Sequence, residues 1–272
     1  MNIAIQGEKS SFHDQAVRLW FNKDVSIIPC DTFAGVFQAL ENDTADQAVV
    51  AIENTLYGSI DQTLDLIEKH RFTITGEIFL HIRQQLITLP GVSLSSITQV
   101  YSHPVALAQC DAFLSRHLPH AKRVEYHDTA ASVRFIKETN DPTVAAIAST
   151  VAASDYSLPI LVGDIEDDKT NVTRFLVINP NGTTPTRADK SSLSLITDHS
   201  PGALAHVLSL FAQAGINLTK LESRPIIGSS WKYRFHLDVE VAGSVLHEII
   251  ASIHQTGATV TVLGEYVAGK TH

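Results

Sequence analysis

Cysteine is scarce in this chain of 272 residues. The two present, Cys30 and Cys110, lie far apart and form no CxxC pair. Neither a disulfide scaffold nor a thiolate metal knuckle is therefore expected, and both read as reduced core thiols of a cytoplasmic protein. Basic residues are also few: 20 Lys and Arg against 29 Asp and Glu give a formal net charge of −9. That balance excludes the basic face nucleic acid demands, though a few local donors suffice for a small anion. No apolar run approaches the roughly 20 residues of a membrane span, and no basic, apolar leader precedes the opening strand. The 13 histidines are scattered, without an HExxH. His117 and His120 are separated by Pro119, which breaks helical presentation, so no metal is expected. Neither a GxGxxG nor a Walker loop occurs, so no nucleotide cofactor is expected either.

What is present is a composition that buries a core: 44% hydrophobic and 18% charged, enough for one large or two modest domains. Strand-like and helix-like runs alternate to about residue 178. Candidate strands are 2–6, 25–28, 48–52, 73–78, 86–89, 99–101, 123–126, 144–148 and 175–178. Helical runs fill most gaps, as βαβ units and a largely parallel sheet require. Residues 179–190 read as a polar linker rich in turn residues. A smaller pattern follows: strand 193–197, a helix from Ser200-Pro201 to about Ala214, strands 218–225 and 232–241, helix 246–254 and strand 259–267. This βαββαβ order makes an α+β sandwich. The fold class is α/β with a C-terminal α+β domain.

Four polar clusters stand where strands meet loops. They are Gln6–Phe12, Glu53–Ser59, Tyr101–Pro104 and Thr170–Arg174. In an open α/β sheet such loops gather at the carboxyl ends of strands, and the helices that follow three of them bring unpaired N–H groups suited to anions. Ser59-Ile60-Asp61-Gln62 fits a capping box. His103 precedes Pro104, which suits the first helical position, and is either a cap or a site residue.

At these residues the chain resembles a known family. ENTLYGS at 53–59, YSHPVALAQC at 101–110 and TRFLVI at 173–178 look like the signature segments of prephenate dehydratase, and LESRP at 221–225 looks like the regulatory motif of its ACT domain. The resemblance covers nearly the whole chain in the family's order. It implies a two-lobed catalytic domain, 1–178, like a type II periplasmic binding protein, with the second lobe at about 80–162 and the site in the cleft. The chain would cross between lobes near 77–83 and 162–168. A linker, 179–190, and an ACT regulatory domain, 191–272, follow. No mutase-like helix precedes residue 1, so no fused mutase is expected.

The implied reaction is loss of CO2 and hydroxide from prephenate to give phenylpyruvate, in L-phenylalanine biosynthesis. Aromatisation drives it, and no cofactor is demanded. Thr173 would hydrogen-bond the departing hydroxyl. Arg174 would clamp a carboxylate. Asn54, Thr55 and His103 are further catalytic candidates, and Ser11, Ser59, Gln109 and Asn171 are substrate-binding candidates. Glu53 would repel a dianion and reads as structural. L-phenylalanine would act as feedback inhibitor through Gly202, Ala203, Leu204, Glu222, Ser223, Arg224 and Pro225, across the interface of a homodimer or homotetramer. Two segments depart from the family's pattern: in the first loop Ser10 stands where a glycine is common and Ser11-Phe12-His13-Asp14 where Ser-Phe-Ser-His is common, and Asp155-Tyr156-Ser157-Leu158 stands where Leu-Tyr-Gly-Leu is usual. Ser10 puts the loop geometry in question, because serine tolerates positive φ poorly. An arogenate dehydratase would share these motifs, arogenate carrying an amino acid where prephenate has a pyruvyl ketone. A catalytically silent, amino-acid-sensing protein on the same scaffold is the remaining alternative.

Overall fold

The computed structural model describes residues 1–21, 25–226 and 232–272. The chain opens with β1 (Asn2–Gln6), α1 (Phe12–Phe21), β2 (Ser26–Cys30), α2 (Phe33–Glu41), β3 (Gln47–Asn54), the short β4 (Gly58–Ser59), α3 (Asp61–His70) and β5 (Thr73–His81). Ile3, Ala4 and Ile5 are fully buried, as expected of a strand covered on both faces. β1 pairs in parallel with β2 and β3. Thr32 starts α2, its Oγ1 accepting from Gly35 N at 3.0 Å, which satisfies one of the helix's unpaired donors.

The middle of the chain forms β6 (Gln85–Ile87), β7 (Gln99–Ser102), α4 (Pro104–Gln109), α5 (Asp111–His117), β8 (Lys122–Glu125), α6 (Thr129–Thr139), β9 (Val144–Ala148), α7 (Thr150–Asp155) and β10 (Ile160–Val162). Then β11 (Val172–Asn179) returns to the first sheet, whose order is β2-β1-β3-β11-β5 with β4 folded back on β3. The second sheet runs β10-β6-β9-β7-β8. There β7 is parallel to β8 and β9, while β6 is antiparallel to β9 and β10.

The rest is β12 (Lys190–Ile196), α8 (Ala203–Gln213), β13 (Leu218–Pro225), β14 (Tyr233–Val239), α9 (Gly243–His254) and β15 (Thr259–Tyr266), an antiparallel sheet of order β13-β14-β12-β15. Alternation sends Leu193, Leu195, Leu237 and Val239 to one face, where they pack with Val207, Phe211, Leu246 and Ile253 of α8 and α9. The helix expected from Ser200 begins later, at Ala203: its N-cap is Gly202, held at φ +86°, where a side chain would be strained.

Contacts divide the chain into two compact units, 1–63 with 78–175 and 271–272, and 64–77 with 176–270. The division passes through α3, β5 and β11 rather than through a linker. Lys190, assigned to the linker by its sequence, instead opens β12. It is buried at 5% exposure, its Nζ 2.9 and 3.0 Å from the carboxylate oxygens of buried Glu77. A charge removed from water needs such a partner. Among the described residues no helix is long and apolar enough to cross a membrane.

Candidate active site

The ends of β1, β3 and β7, and the start of β11, meet at a cavity of about 380 Å3 in the first unit. Thr173 and Phe175 line it from alternate positions of β11, and Asn54 from the end of β3. Asn54 organises this wall. Its Oδ1 accepts from the backbone N–H of Leu56 at 2.9 Å and of Tyr57 at 3.1 Å. Two backbone donors on one atom decide which way the amide points. Its Nδ2 must then face the other way, donating to Asn171 Oδ1 at 2.7 Å and to Thr173 Oγ1 at 2.8 Å. Because Thr173 Oγ1 receives a hydrogen bond, its own O–H is left to donate elsewhere.

Ser11, His103 and Gln109 also line the cavity. Ser11 sits just ahead of α1. His103 is the N-cap of α4, its Nδ1 accepting from Val105 N at 3.3 Å, which leaves the ring proton on Nε2. Gln109 ends α4 and accepts from Gln84 Nε2 at 3.0 Å.

Four candidates are placed elsewhere. Arg174 lies on the opposite face of β11 from Thr173, since successive strand residues alternate. It is 3% exposed, is not among the cavity's lining residues, and its NH1 donates to Glu53 Oε1 at 3.1 Å under the Phe79 ring. The carboxylate it clamps is the protein's own. Thr55 ties down a loop: its hydroxyl donates to Thr170 O at 3.2 Å and accepts from Val172 N at 2.9 Å. Asn171 is buried behind Asn54 and supports it rather than lining the cavity. Ser59 lies in β4 opposite Glu53, also outside the lining; the capping box it would share runs through Asp61, whose side chain lies outside the described residues.

Two lining residues escaped the sequence reading. His13 stands edge-on to Phe175, ring centres 5.0 Å apart, and its Nε2 accepts from Ala51 N at 3.3 Å. Burial pushes its pKa down to about 4. Asp128 caps α6, its Oδ1 accepting from Ala130 N at 2.7 Å and Ala131 N at 3.0 Å. Burial raises its carboxyl above the ordinary value, with those two N–H bonds pulling the other way. An Asp ahead of a Thr-Ala-Ala run is a helix-start signal that would have placed it.

A family model described as prephenate dehydratase matches residues 3–183, and one described as ACT domain matches 191–257. The chain belongs to the prephenate dehydratase family. The bifunctional chorismate mutase/prephenate dehydratase of Neisseria gonorrhoeae is 37% identical over 88% of this chain and 66% of its own length. Arogenate dehydratase 5 of Arabidopsis thaliana is 37% identical over 98% of this chain and 67% of its own length. The chain thus spans about two thirds of the length of these relatives. The solved prephenate dehydratase from Arthrobacter aurescens, in complex with L-Phe, is 31% identical with a TM-score of 0.87, covering 98% of this chain and 90% of that one.

The two departures from the family pattern meet in space. Ser10 adopts φ +70° and Ser157 φ +55°, both in the region glycine favours. The Ser10 hydroxyl donates to Asp155 Oδ2 at 2.7 Å, Arg18 bonds both Asp155 and Asp14, and Asp14 Oδ2 accepts from Ser10 N at 2.7 Å. Ser149 Oγ donates to Ser10 O at 3.0 Å. The strained serine is held by three side chains, and Arg18 ties two of them together.

In the C-terminal unit a separate cavity of about 360 Å3 opens at the start of α8, lined by Ser200, Pro201, Gly202, Ala203 and His206 among others. Leu204 turns instead into the core. Glu222, Ser223, Arg224 and Pro225 lie on β13, outside this lining. Glu222 pairs with Lys220 at 3.0 Å, and Arg224 with Asp65 of α3 at 2.9 Å.

Proposed function

We propose that this chain catalyses the decarboxylating dehydration of prephenate to phenylpyruvate in aromatic amino acid biosynthesis. The observation that carries the reading is the Asn54–Thr173 hydrogen bond at the cavity wall. Asn54 holds the threonine oxygen as an acceptor, so the O–H is presented as a donor. The bond from the ring to its carboxylate breaks, CO2 departs, and the electron pair enters the ring as the C4–O bond breaks. The oxygen departs as hydroxide and becomes water with a proton taken from solvent. Thr173 stabilises the charge growing on that oxygen, a hydrogen bond worth most in the transition state.

Among the described lining residues there is no Lys or Arg. The dianion is therefore met by hydrogen-bond donors and by the start of α1 at Ser11, where backbone N–H groups and the helix dipole favour negative charge. Motion of the lobes at 77–83 and 162–168 would exclude water from the reacting hydroxyl. We divide the chain into a catalytic domain at 1–178 and an ACT domain at 191–272. We place the enzyme in the cytoplasm, where its free thiols, Cys30 and Cys110, stay reduced.

L-phenylalanine is the proposed inhibitor. The L-Phe complex of the Arthrobacter aurescens relative supports this reading, as does the cavity at Gly202 and Ala203. The 222–225 segment would reach such a ligand from a second copy of the chain, in a homodimer or homotetramer. The second reading is arogenate as substrate, favoured by the Arabidopsis relative's name. Assay of the purified protein for phenylpyruvate formed from prephenate tests the main reading; an inert protein with an intact fold overturns it. Equilibrium dialysis with L-phenylalanine tests the effector, and no binding at millimolar ligand removes it.

A further inference from the structure

The two candidate substrates share a ring, its carboxylate and the 4-hydroxyl. They differ at one side-chain atom: prephenate has a neutral ketone where arogenate has an ammonium. The side chain sits on the ring carbon opposite the hydroxyl. With the hydroxyl at Thr173, on the wall built by β3 and β11, the side chain is directed across the cavity, where residues at the starts of α4 and α6 form the lining.

That wall carries a carboxylate. Asp128 is the one Asp or Glu among the described lining residues of this cavity. Its Oδ1 is occupied by Ala130 N and Ala131 N. Its Oδ2 has no hydrogen bond or ion pair among the described residues. Of the nearby cations, Arg134 is engaged by Glu8 at 2.6 Å, and Lys9 lines a second cavity that Asp128 also borders. Gly7, which lines that second cavity, leaves room beside Oδ2: a Cβ there would stand 3.1 Å from it. Asp128 also changes what the start of α6 offers. A bare helix start attracts an anion, but here the first donors are taken by a carboxylate that faces the cavity.

We propose that Asp128 recognises the ammonium group of arogenate, so that this cavity accepts an amino-acid side chain as well as a keto one. A desolvated carboxylate lacking a cation is costly, and a ligand ammonium relieves that cost. A ketone cannot do so. Burial raises the Asp128 carboxyl above its ordinary value, against the pull of the Ala130 and Ala131 N–H bonds. The inference rests on the dehydratase reading and assigns the residue that sets its substrate range.

The experiment compares kcat/KM for L-arogenate and prephenate in the wild type and in Asp128→Asn. Asparagine keeps the cap and removes the charge. The expected result is measurable arogenate turnover by the wild type. In the variant, the ratio of arogenate to prephenate kcat/KM should fall by about tenfold or more, the scale of one charge-assisted hydrogen bond. A parallel loss on both substrates would show a merely structural or common catalytic role and overturn the proposal. So would a wild type that turns over prephenate but not arogenate. A wild type inert on both would overturn the dehydratase reading itself, and the inference with it.

Discussion

Replacing Asn54 by aspartate should disable Thr173 without touching it. The introduced carboxylate would keep one oxygen on the N–H groups of Leu56 and Tyr57, as the Asn54 amide oxygen does at 2.9 and 3.1 Å. The other oxygen would face Thr173 Oγ1 and Asn171 Oδ1, where the amide now donates at 2.8 and 2.7 Å. Asn171 can answer by turning its amide, since its buried Nδ2 has no partner among the described residues. Thr173 can answer only by donating its hydroxyl to the new carboxylate. Its proton is then withdrawn from the departing oxygen. Loss of one such donor costs about 100- to 1,000-fold in kcat, or about 2.7–4 kcal/mol. Thr173→Val, which keeps the shape and deletes the hydroxyl, should fall in the same range. The two losses report one hydrogen bond, so the double variant should be no more than about threefold worse than the poorer single. Steady-state phenylpyruvate formation measures all three. Near-normal kcat in Asn54→Asp, or losses that multiply in the double variant, would refute this reasoning.

Lys190→Met leaves the Glu77 carboxylate buried without its cation and should destabilise the fold by about 3–5 kcal/mol; urea midpoints check this, and adding Glu77→Gln should recover much of the loss. Ser157→Gly relieves a positive φ of 55° at an exposed position and should stabilise by about 0.5 kcal/mol, the left-handed penalty less glycine's entropy; a lower melting temperature would count against it. His13, depressed to about 4, binds its proton in the unfolded chain below about pH 6.5 but not in the native one. Its contribution to stability is therefore lost as pH falls from about 6.5 to 4, at up to about 1.4 kcal/mol per pH unit. His13→Asn should flatten that part of the stability profile, and an unchanged slope would sink the assignment. Gly202→Val places a branched side chain at φ +86° and should weaken inhibition by L-phenylalanine, read as a rightward shift of the inhibition curve.

The ladder of strands was legible where a short apolar run is bounded by turn residues. Strands β1, β9 and β13 begin and end at the residues their patterns indicate. β4 and β10 were not legible, because two- and three-residue strands exist only through the partners β3 and β6 that pair with them. Part of the cavity's lining was legible. Asn54, Thr173, His103, Ser11 and Gln109 were read from motifs and line one cavity. Arg174 was read from its motif, and alternation along the strand puts it on the other face from Thr173, outside this cavity's lining. Thr55 and Asn171 are polar at a site's edge, and only three-dimensional hydrogen bonding separates a group that meets substrate from one that holds up its neighbour. Asp128 is legible as a helix start, but its place in the lining depends on a cavity wall drawn from distant parts of the chain.

The junction of Ser10 with Asp155 constrains how parts of this protein can be exchanged with relatives. A graft restoring glycine at position 10 alone would leave Asp155 to Arg18 and discard a 2.7 Å bond. A graft replacing 155–158 alone would keep a serine at φ +70° with its hydroxyl unanswered. The two segments are 145 residues apart in the chain, yet they behave as a single cassette. Chimeras that swap both together should fold more stably than either half-swap, so any crossover point between residues 10 and 155 divides a matched pair.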